Sequence, residues 1–230
     1  MALSDDSFVT VRCKGVLFDM DGILISSIGS VERSWTKWAV SRGVDPKHAL
    51  SIAHGRRSIE TVAELRPDLD AEAENLIIEQ MEIDDIEGVE VLPGVHALLA
   101  ALPPERWTVV TSATRPLARV RLAAGGFPLP ARFVTADDVS EGKPHPAPYL
   151  AGAALLGFKP EECVVFEDAA SGAKAGRAAG CTVIATTFSH SVESLAAAHY
   201  LVPDLTGMEV KTLPGDEGLE LRFAPIARGQ

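Results

Sequence analysis

Residues 15–22, Gly15-Val16-Leu17-Phe18-Asp19-Met20-Asp21-Gly22, set a short, continuous apolar run against a polar cluster. An apolar run without alternation is the pattern of a strand buried on both faces, and any chemistry then sits at its C-terminal end. The same punctuation recurs along the chain. Trp107-Thr108-Val109-Val110-Thr111 runs into Ser112, Phe133-Val134-Thr135 into Asp137-Asp138, and Cys163-Val164-Val165-Phe166 into Glu167-Asp168. Between these runs lie segments of helical spacing or composition: Val95 to Leu102, Arg115 to Ala124, Ala147 to Leu156, and Ala169 to Ala179 closed by Gly180. Alternation of this kind predicts an α/β fold, a parallel sheet with helices on both faces. Ligands of such sheets bind beyond the carboxyl ends of the strands, so the spacing predicts one shared site.

From about Ile28 to Val89 the alternation stops. Helices are expected over Ser30 to Ser41, after Pro46, over Ile59 to Leu65 and over Ala71 to Glu87, with Pro67-Asp68 as a divider, and Leu92-Pro93-Gly94 restarts the strand-helix pattern. The expected organisation is a Rossmann-like catalytic core from residues 1–27 and 90–230, with a helical cap inserted at 28–89. Near the end, Gly218 to Phe223 offers a late strand. The 230 residues are 47% hydrophobic, enough for a sizeable core, and carry a net charge of −11. That acidity argues against nucleic acid as a partner. Met1 to Arg12 lacks the basic flank and apolar run of a signal peptide, and no later stretch has membrane-spanning length. Cys13, Cys163 and Cys181, odd in number and far apart, read as reduced packing residues of a cytoplasmic protein. A monomer acting on a small molecule is expected.

Asp19 and Asp21, two apart with Gly22 following, place two carboxylates at a strand end while Met20 turns the other way. A solvated turn would show the same residues. An EF-hand is excluded, because the third loop ligand and the distal Glu are missing. Glu167 and Asp168 bring two more carboxylates to the same edge, although either could simply cap the following helix. Four carboxylates together repel unless a divalent cation binds there, and hard oxygen ligands favour Mg²⁺. Gly142-Lys143-Pro144 is no Walker A loop, yet a lysine near these carboxylates can hold both a nucleophile and a phosphate by charge. Ser112 and the N–H groups of Ala113 and Thr114, at what reads as a helix start, suit a phosphate oxygen. Helix capping explains Ser112 as well, and Thr111 is a neighbouring candidate.

In order, Asp19-Met20-Asp21-Gly22, Val110-Thr111-Ser112, Gly142-Lys143-Pro144 and Phe166-Glu167-Asp168 resemble the four signature motifs of the haloacid dehalogenase superfamily. The inserted helices resemble the small cap of one branch. His54-Gly55-Arg56-Arg57-Ser58-Ile59, Lys143-Pro144-His145-Pro146 with Pro148-Tyr149-Leu150, and Val165-Phe166-Glu167-Asp168-Ala169 are similar to glycerol-3-phosphate and 2-deoxyglucose-6-phosphate phosphatases. Ile23 and Ser26-Ser27 depart from the Thr and Asp-Ser common in that branch, removing a hydroxyl and a carboxylate near the cap hinge. The resemblance implies a Mg²⁺-dependent phosphatase of sugar or polyol phosphates with an aspartyl-phosphate intermediate. It assigns Asp19 as nucleophile and Asp21 as acid and base. Asp19, the Asp21 carbonyl, Asp168 and Glu167 would hold the metal, with Glu167 binding directly or through water. Lys143, Ser112 and the Ala113 N–H would hold phosphate. His54 and Arg56, with Arg57 competing, are the cap residues expected to reach substrate, whereas Trp35 and Trp38 read as cap core. A mutase resembling beta-phosphoglucomutase shares these features, and a non-catalytic sugar-phosphate sensor could occupy the same fold.

Overall fold

The protein is described here from a computed structural model covering residues 7–53, 56–127 and 130–227. Its centre is a five-stranded parallel sheet built from β2 (Gly15–Phe18), β5 (Trp107–Val109), β6 (Cys163–Glu167), β7 (Thr182–Thr186) and β8 (Tyr200–Val202), in the order β5-β2-β6-β7-β8. All four strand pairings are parallel, and β2 lies between β5 and β6, with Phe18 opposite Val109 on one side and Phe166 on the other. The chain adds β5 on one flank of β2 and later β6 on the other, so the order of strand addition reverses at β2. A crevice opens at the carboxyl end of a strand in that position.

The apolar runs are unalternated because both faces are covered. Val16 and Phe18 point into one core with α5 (Val95–Ala101) and α6 (Arg115–Ala124), while Leu17 points into the other with α7 (Ala147–Leu156) and α8 (Ala170–Ala178). Phe18 stacks on Phe166 with ring centroids 5.1 Å apart, which fixes β2 against β6 beneath their polar ends. The three cysteines are free and buried, and burial pushes each thiol up to about 12, as expected of packing residues.

Four helices follow the first core strand: α1 (Ile28–Arg42), α2 (Pro46–Ala53), α3 (Ser58–Leu65) and α4 (Ala71–Asp84). They share their own apolar cluster around Trp35, Trp38, Val62 and Ile78, in which the two tryptophans meet edge to face at 5.4 Å. Two short antiparallel strands, β3 (Ile25–Ser26) and β4 (Glu90–Val91), pair where the chain leaves and re-enters the sheet region. The expected helix end at Glu87 falls three residues late, since Asp84 closes α4.

The expected strand at Phe133 to Thr135 is a single bridge between Val134 and Val110. Immediately after it, Asp138 accepts hydrogen bonds from the Thr135 N–H and hydroxyl, and the chain turns into a 3₁₀ turn over Ala136–Asp138. A second sheet was not anticipated as such: β1 (Val9–Cys13), β10 (Leu219–Phe223) and β9 (Glu209–Thr212) pair antiparallel and lay Val11, Leu219, Leu221 and Phe223 on the core.

Candidate active site

Phe18 ends β2, but the Asp19 N–H still bonds the Phe166 carbonyl at 3.0 Å, so Asp19 leaves the sheet edge in line with the strand. Its carboxylate is an ion-pair partner of Lys143, with Nζ to Oδ1 2.9 Å. Lys143 is buried, and its ammonium also reaches Glu167 Oε1 at 2.7 Å and the Val110 carbonyl at 3.1 Å. Its three protons therefore have three acceptors. The Lys143 ammonium further lies 5.0 Å from the Tyr149 ring centroid, and the Tyr149 hydroxyl donates to the same Glu167 oxygen at 2.7 Å.

Glu167 is fully buried and held on both oxygens. Lys143 and Tyr149 donate to Oε1, and the N–H groups of Asp168 and Ala169, at 3.0 Å each, donate to Oε2. Helix α8 comes close enough only because residue 172 is Gly: a Cβ there would overlap the Glu167 carboxylate. Asp168 is likewise packed against Gly22, whose φ of +80° and lack of Cβ let the turn after Asp21 pass over that carboxylate. The Ser189 hydroxyl donates to Asp168.

Asp19, Glu167 and Asp168 each present an oxygen within 4.8 Å of the other two. Burial pushes Asp19 up to about 7 even though Lys143 pulls the other way, and burial together with Glu167 and Asp19 raises Asp168 well above the carboxylate range. Burial alone would lower Lys143, but Asp19 and Glu167 outweigh it and hold the ammonium above its ordinary value. Three buried carboxylates around one lysine leave excess negative charge. A cluster of hard oxygen donors so balanced fits a divalent cation of the Mg²⁺ type.

Asp21 is tied differently. Its Oδ1 accepts from the Ser27 hydroxyl, and its Oδ2 accepts from Arg121 Nη1 at 3.1 Å. Arg121, buried on α6, also donates from Nη2 to Glu82 of α4 at 3.2 Å. Burial pushes Glu82 up to about 7 against the pull of Arg121.

Ser112 and Ala113 line a cavity of about 110 Å³ together with Asp19, Asp21 and Asp168, as does Arg56 from just before α3. Ala113 N–H donates to Thr111 Oγ1 at 3.1 Å, and α6 begins only at Arg115, so the expected run of open helix N-terminal donors at Ala113 and Thr114 is shorter than the sequence suggests. Arg56 pairs with Glu64 at 2.8 Å. His54 and Gly55 lie outside the described residues. Arg57 points elsewhere: its guanidinium donates to the carbonyls of Ala136, Val139 and Ser140, clamping α3 to the loop before Lys143.

Sequence reasoning missed Arg121 and Glu82, and a signal for each exists. Arg121 shares the buried stripe of Leu117, Ala118 and Leu122 on α6, and Glu82 follows Glu74 and Ile78 at four-residue spacing on α4. A charged residue on an otherwise core-facing stripe demands a partner. Tyr149 gave no such signal, since an aromatic on a buried helix face is ordinary.

A model of the haloacid dehalogenase-like hydrolases matches residues 13–180. Hexitol phosphatase A of Escherichia coli is 40% identical over 212 residues, 90% of this chain and 98% of that protein. Glycerol-1-phosphate phosphohydrolase 1 of Saccharomyces cerevisiae is 39% identical over 196 residues, covering 78% of each chain. The crystal structure of a hydrolase from Pseudomonas syringae superposes with a TM-score of 0.76 at 25% identity, over 84% of this chain and 94% of the other.

Proposed function

The chain belongs to the haloacid dehalogenase-like hydrolases, and from that premise we propose that it hydrolyses the phosphate monoester of a small sugar or polyol through an aspartyl-phosphate on Asp19. The observation that carries the reading is the placement of Asp19: at the tip of the central strand, ion-paired with buried Lys143, in one cavity with Asp21, Ser112 and Asp168. Relatives named for hexitol and glycerol phosphates support the substrate class. The helices between residues 28 and 89 act as a cap on the core of 1–27 and 90–230. A cavity of about 110 Å³ suits a small ester rather than a macromolecule. No helix among the described residues is long and apolar enough to cross a membrane. We assign the enzyme to the cytoplasm as a monomer, in keeping with its three free, buried thiols.

In the first step Asp19 attacks phosphorus, the new Oδ–P bond forms as the ester P–O bond breaks, and Asp21 gives its proton to the leaving alkoxide. In the second, Asp21 takes a proton from the attacking water, the Oδ–P bond breaks, and inorganic phosphate leaves. Lys143 orients Asp19 and neutralises charge on the phosphoryl oxygens, and the Ser112 hydroxyl and Ala113 N–H meet the rest. Turning the Ala113 N–H to phosphate requires it to leave Thr111. Asp19, Asp168 and the Asp21 main-chain carbonyl would hold Mg²⁺, which when bound supplies charge neutralisation for an anionic nucleophile approaching an anionic substrate. Glu167 already accepts four hydrogen bonds, the full capacity of a carboxylate, so its part is to fix Lys143 and the turn at Asp168 rather than to bind the metal directly or through water.

Phosphate release from glycerol, hexitol and 2-deoxyglucose phosphates, with and without Mg²⁺ and beside Asp19→Asn, tests the proposal. Magnesium-dependent release that disappears in the variant is the expected result. Rearranged sugar phosphate without free phosphate would instead identify a mutase, and no reaction with any ester would leave a sensor.

A further inference from the structure

We propose that Glu82 and Arg121 form the hydroxyl-recognition end of the cavity and select a polyol as the leaving group, a refinement that rests on the phosphatase reading above. Both residues line the same cavity as Asp19 and Asp21, and both are buried. They join its two halves, Arg121 from core helix α6 and Glu82 from α4 of the cap.

The hydrogen-bond inventory of the pair is incomplete in a way that a hydroxyl completes. Arg121 uses Nη1 on Asp21 and Nη2 on Glu82, while its buried Nε–H has no partner among the described residues. That nitrogen is itself sealed from solvent-sized groups, so the position a ligand can reach is on Glu82. Glu82 accepts from Arg121 and from Trp35, which leaves part of its four-site capacity free. An alcohol hydroxyl in the cavity can donate to that free position. An alkyl group cannot.

Position supports the same assignment. Asp21, which delivers the proton to the leaving oxygen, is bound to one edge of the guanidinium and Glu82 to the other. A hydroxyl on the carbon next to the ester carbon would therefore fall within the span of that one planar group. The apolar walls supplied by Ile28, Val31, Trp35 and Leu117 give the carbon chain its contact.

The test compares esters that differ only in hydroxyls. Glycerol phosphate and n-propyl phosphate are assayed with wild type and with Glu82→Gln, reading kcat and KM separately. Wild type should favour glycerol phosphate by roughly 100-fold or more in kcat/KM, because a site built to bond a hydroxyl rejects the analogue without it. Glu82→Gln should shrink that preference by about tenfold or more, mainly through KM for the polyol ester. If Glu82→Gln does not fold, Glu82→Asp, which keeps the charge opposite Arg121 but withdraws it by one methylene, makes the same comparison. Wild type that hydrolyses both esters equally would overturn the proposal and leave the phosphatase reading intact. So would a variant that slows both esters alike with the preference unchanged. Wild type that releases phosphate from neither, nor from a hexitol phosphate, would remove both.

Discussion

Replacing Gly172 with Ala should unfold the active site from behind, although the same change in the middle of an ordinary helix stabilises it by about 1 kcal/mol. Gly172 lies inside α8, and a Cβ there would overlap Glu167 Oε1 and stand 2.6 Å from Oε2. The carboxylate has nowhere to retreat without breaking bonds to Lys143, Tyr149 and the N–H groups of Asp168 and Ala169. Breaking a buried ion pair from one side costs about 3–5 kcal/mol. Set against the helix-propensity gain, the net loss is about 2–4 kcal/mol, or roughly 4–16 °C in Tm for a chain of this size. Gly176→Ala is the control on the same face one turn later: its Cβ would meet Val183 Cγ2 at 2.9 Å and Val165 Cγ1 at 3.2 Å, an apolar overpacking of about 1–3 kcal/mol with no charged group displaced. Urea denaturation and phosphate release are measured on both. Gly172→Ala should lose roughly 100-fold or more in kcat through a misplaced Lys143, and Gly176→Ala should lose stability alone. A Gly172→Ala protein as stable and active as wild type would refute the reasoning.

Tyr149→Phe removes one of the two donors on Glu167 Oε1 and should cost about 1.5–3 kcal/mol in urea denaturation, as for a buried bond to a charged group. Arg57→Ala frees the loop at residues 136–140 from α3; faster amide exchange there and about a tenfold rise in KM are expected, and unchanged exchange would show that the clamp is unimportant. In the metal-free protein Asp19 titrates near 7 rather than 3.8, raised by burial, so the native state keeps a proton that the unfolded chain releases. Stability of that form should therefore be highest at acid pH and fall as pH rises from about 4 to about 7. Mg²⁺ needs the ionised carboxylates, so calorimetric affinity should weaken by at least roughly tenfold per pH unit below 7, more steeply because Asp168 is raised as well, and a flat profile would contradict the assignment of Asp19 as a ligand.

Three of the five strands of the central sheet, β2, β5 and β6, were legible because each is buried on both faces and ends abruptly at polar residues, whereas β7 and β8 were not read as strands. Val16-Leu17-Phe18 before Asp19 and Val164-Val165-Phe166 before Glu167 are apolar without interruption, and the first polar residue after each is at the site. β1 and β9 were illegible for the opposite reason. Each is only partly buried and mixes charge into its run, as in Val9-Thr10-Val11-Arg12-Cys13 and Glu209-Val210-Lys211-Thr212. β1 finds its partner β10 at the far end of the chain, so no local pattern announces the pairing. The carboxylates of the site could be read from the strand ends that carry them. The residues that hold those carboxylates, Tyr149, Gly172, Arg121 and Ser189, sit inside helices or loops where sequence shows only an aromatic, a small residue, a cation or a hydroxyl.

On the proposed reading of helices α1–α4 as a cap, access to the cavity follows from how those helices are fastened to the core. Arg57 to the carbonyls of residues 136–140 and Thr114 to Glu79 are half-exposed contacts that water replaces on opening, each worth about 0.5–1.5 kcal/mol net. A few such bonds amount to about 3 kcal/mol, and the buried Arg121–Glu82 pair, which also spans the two halves, adds to the cost of opening. The Arg121–Glu82 pair is different, because both groups are buried and Glu82 lines the cavity with acceptor capacity to spare. Closure over an empty site leaves that capacity unfilled, whereas closure over a hydroxyl fills it. The contacts that shut the cap without regard to cargo are thus weak and peripheral, and the one that distinguishes a filled cavity from an empty one lies beside the residue that protonates the leaving group.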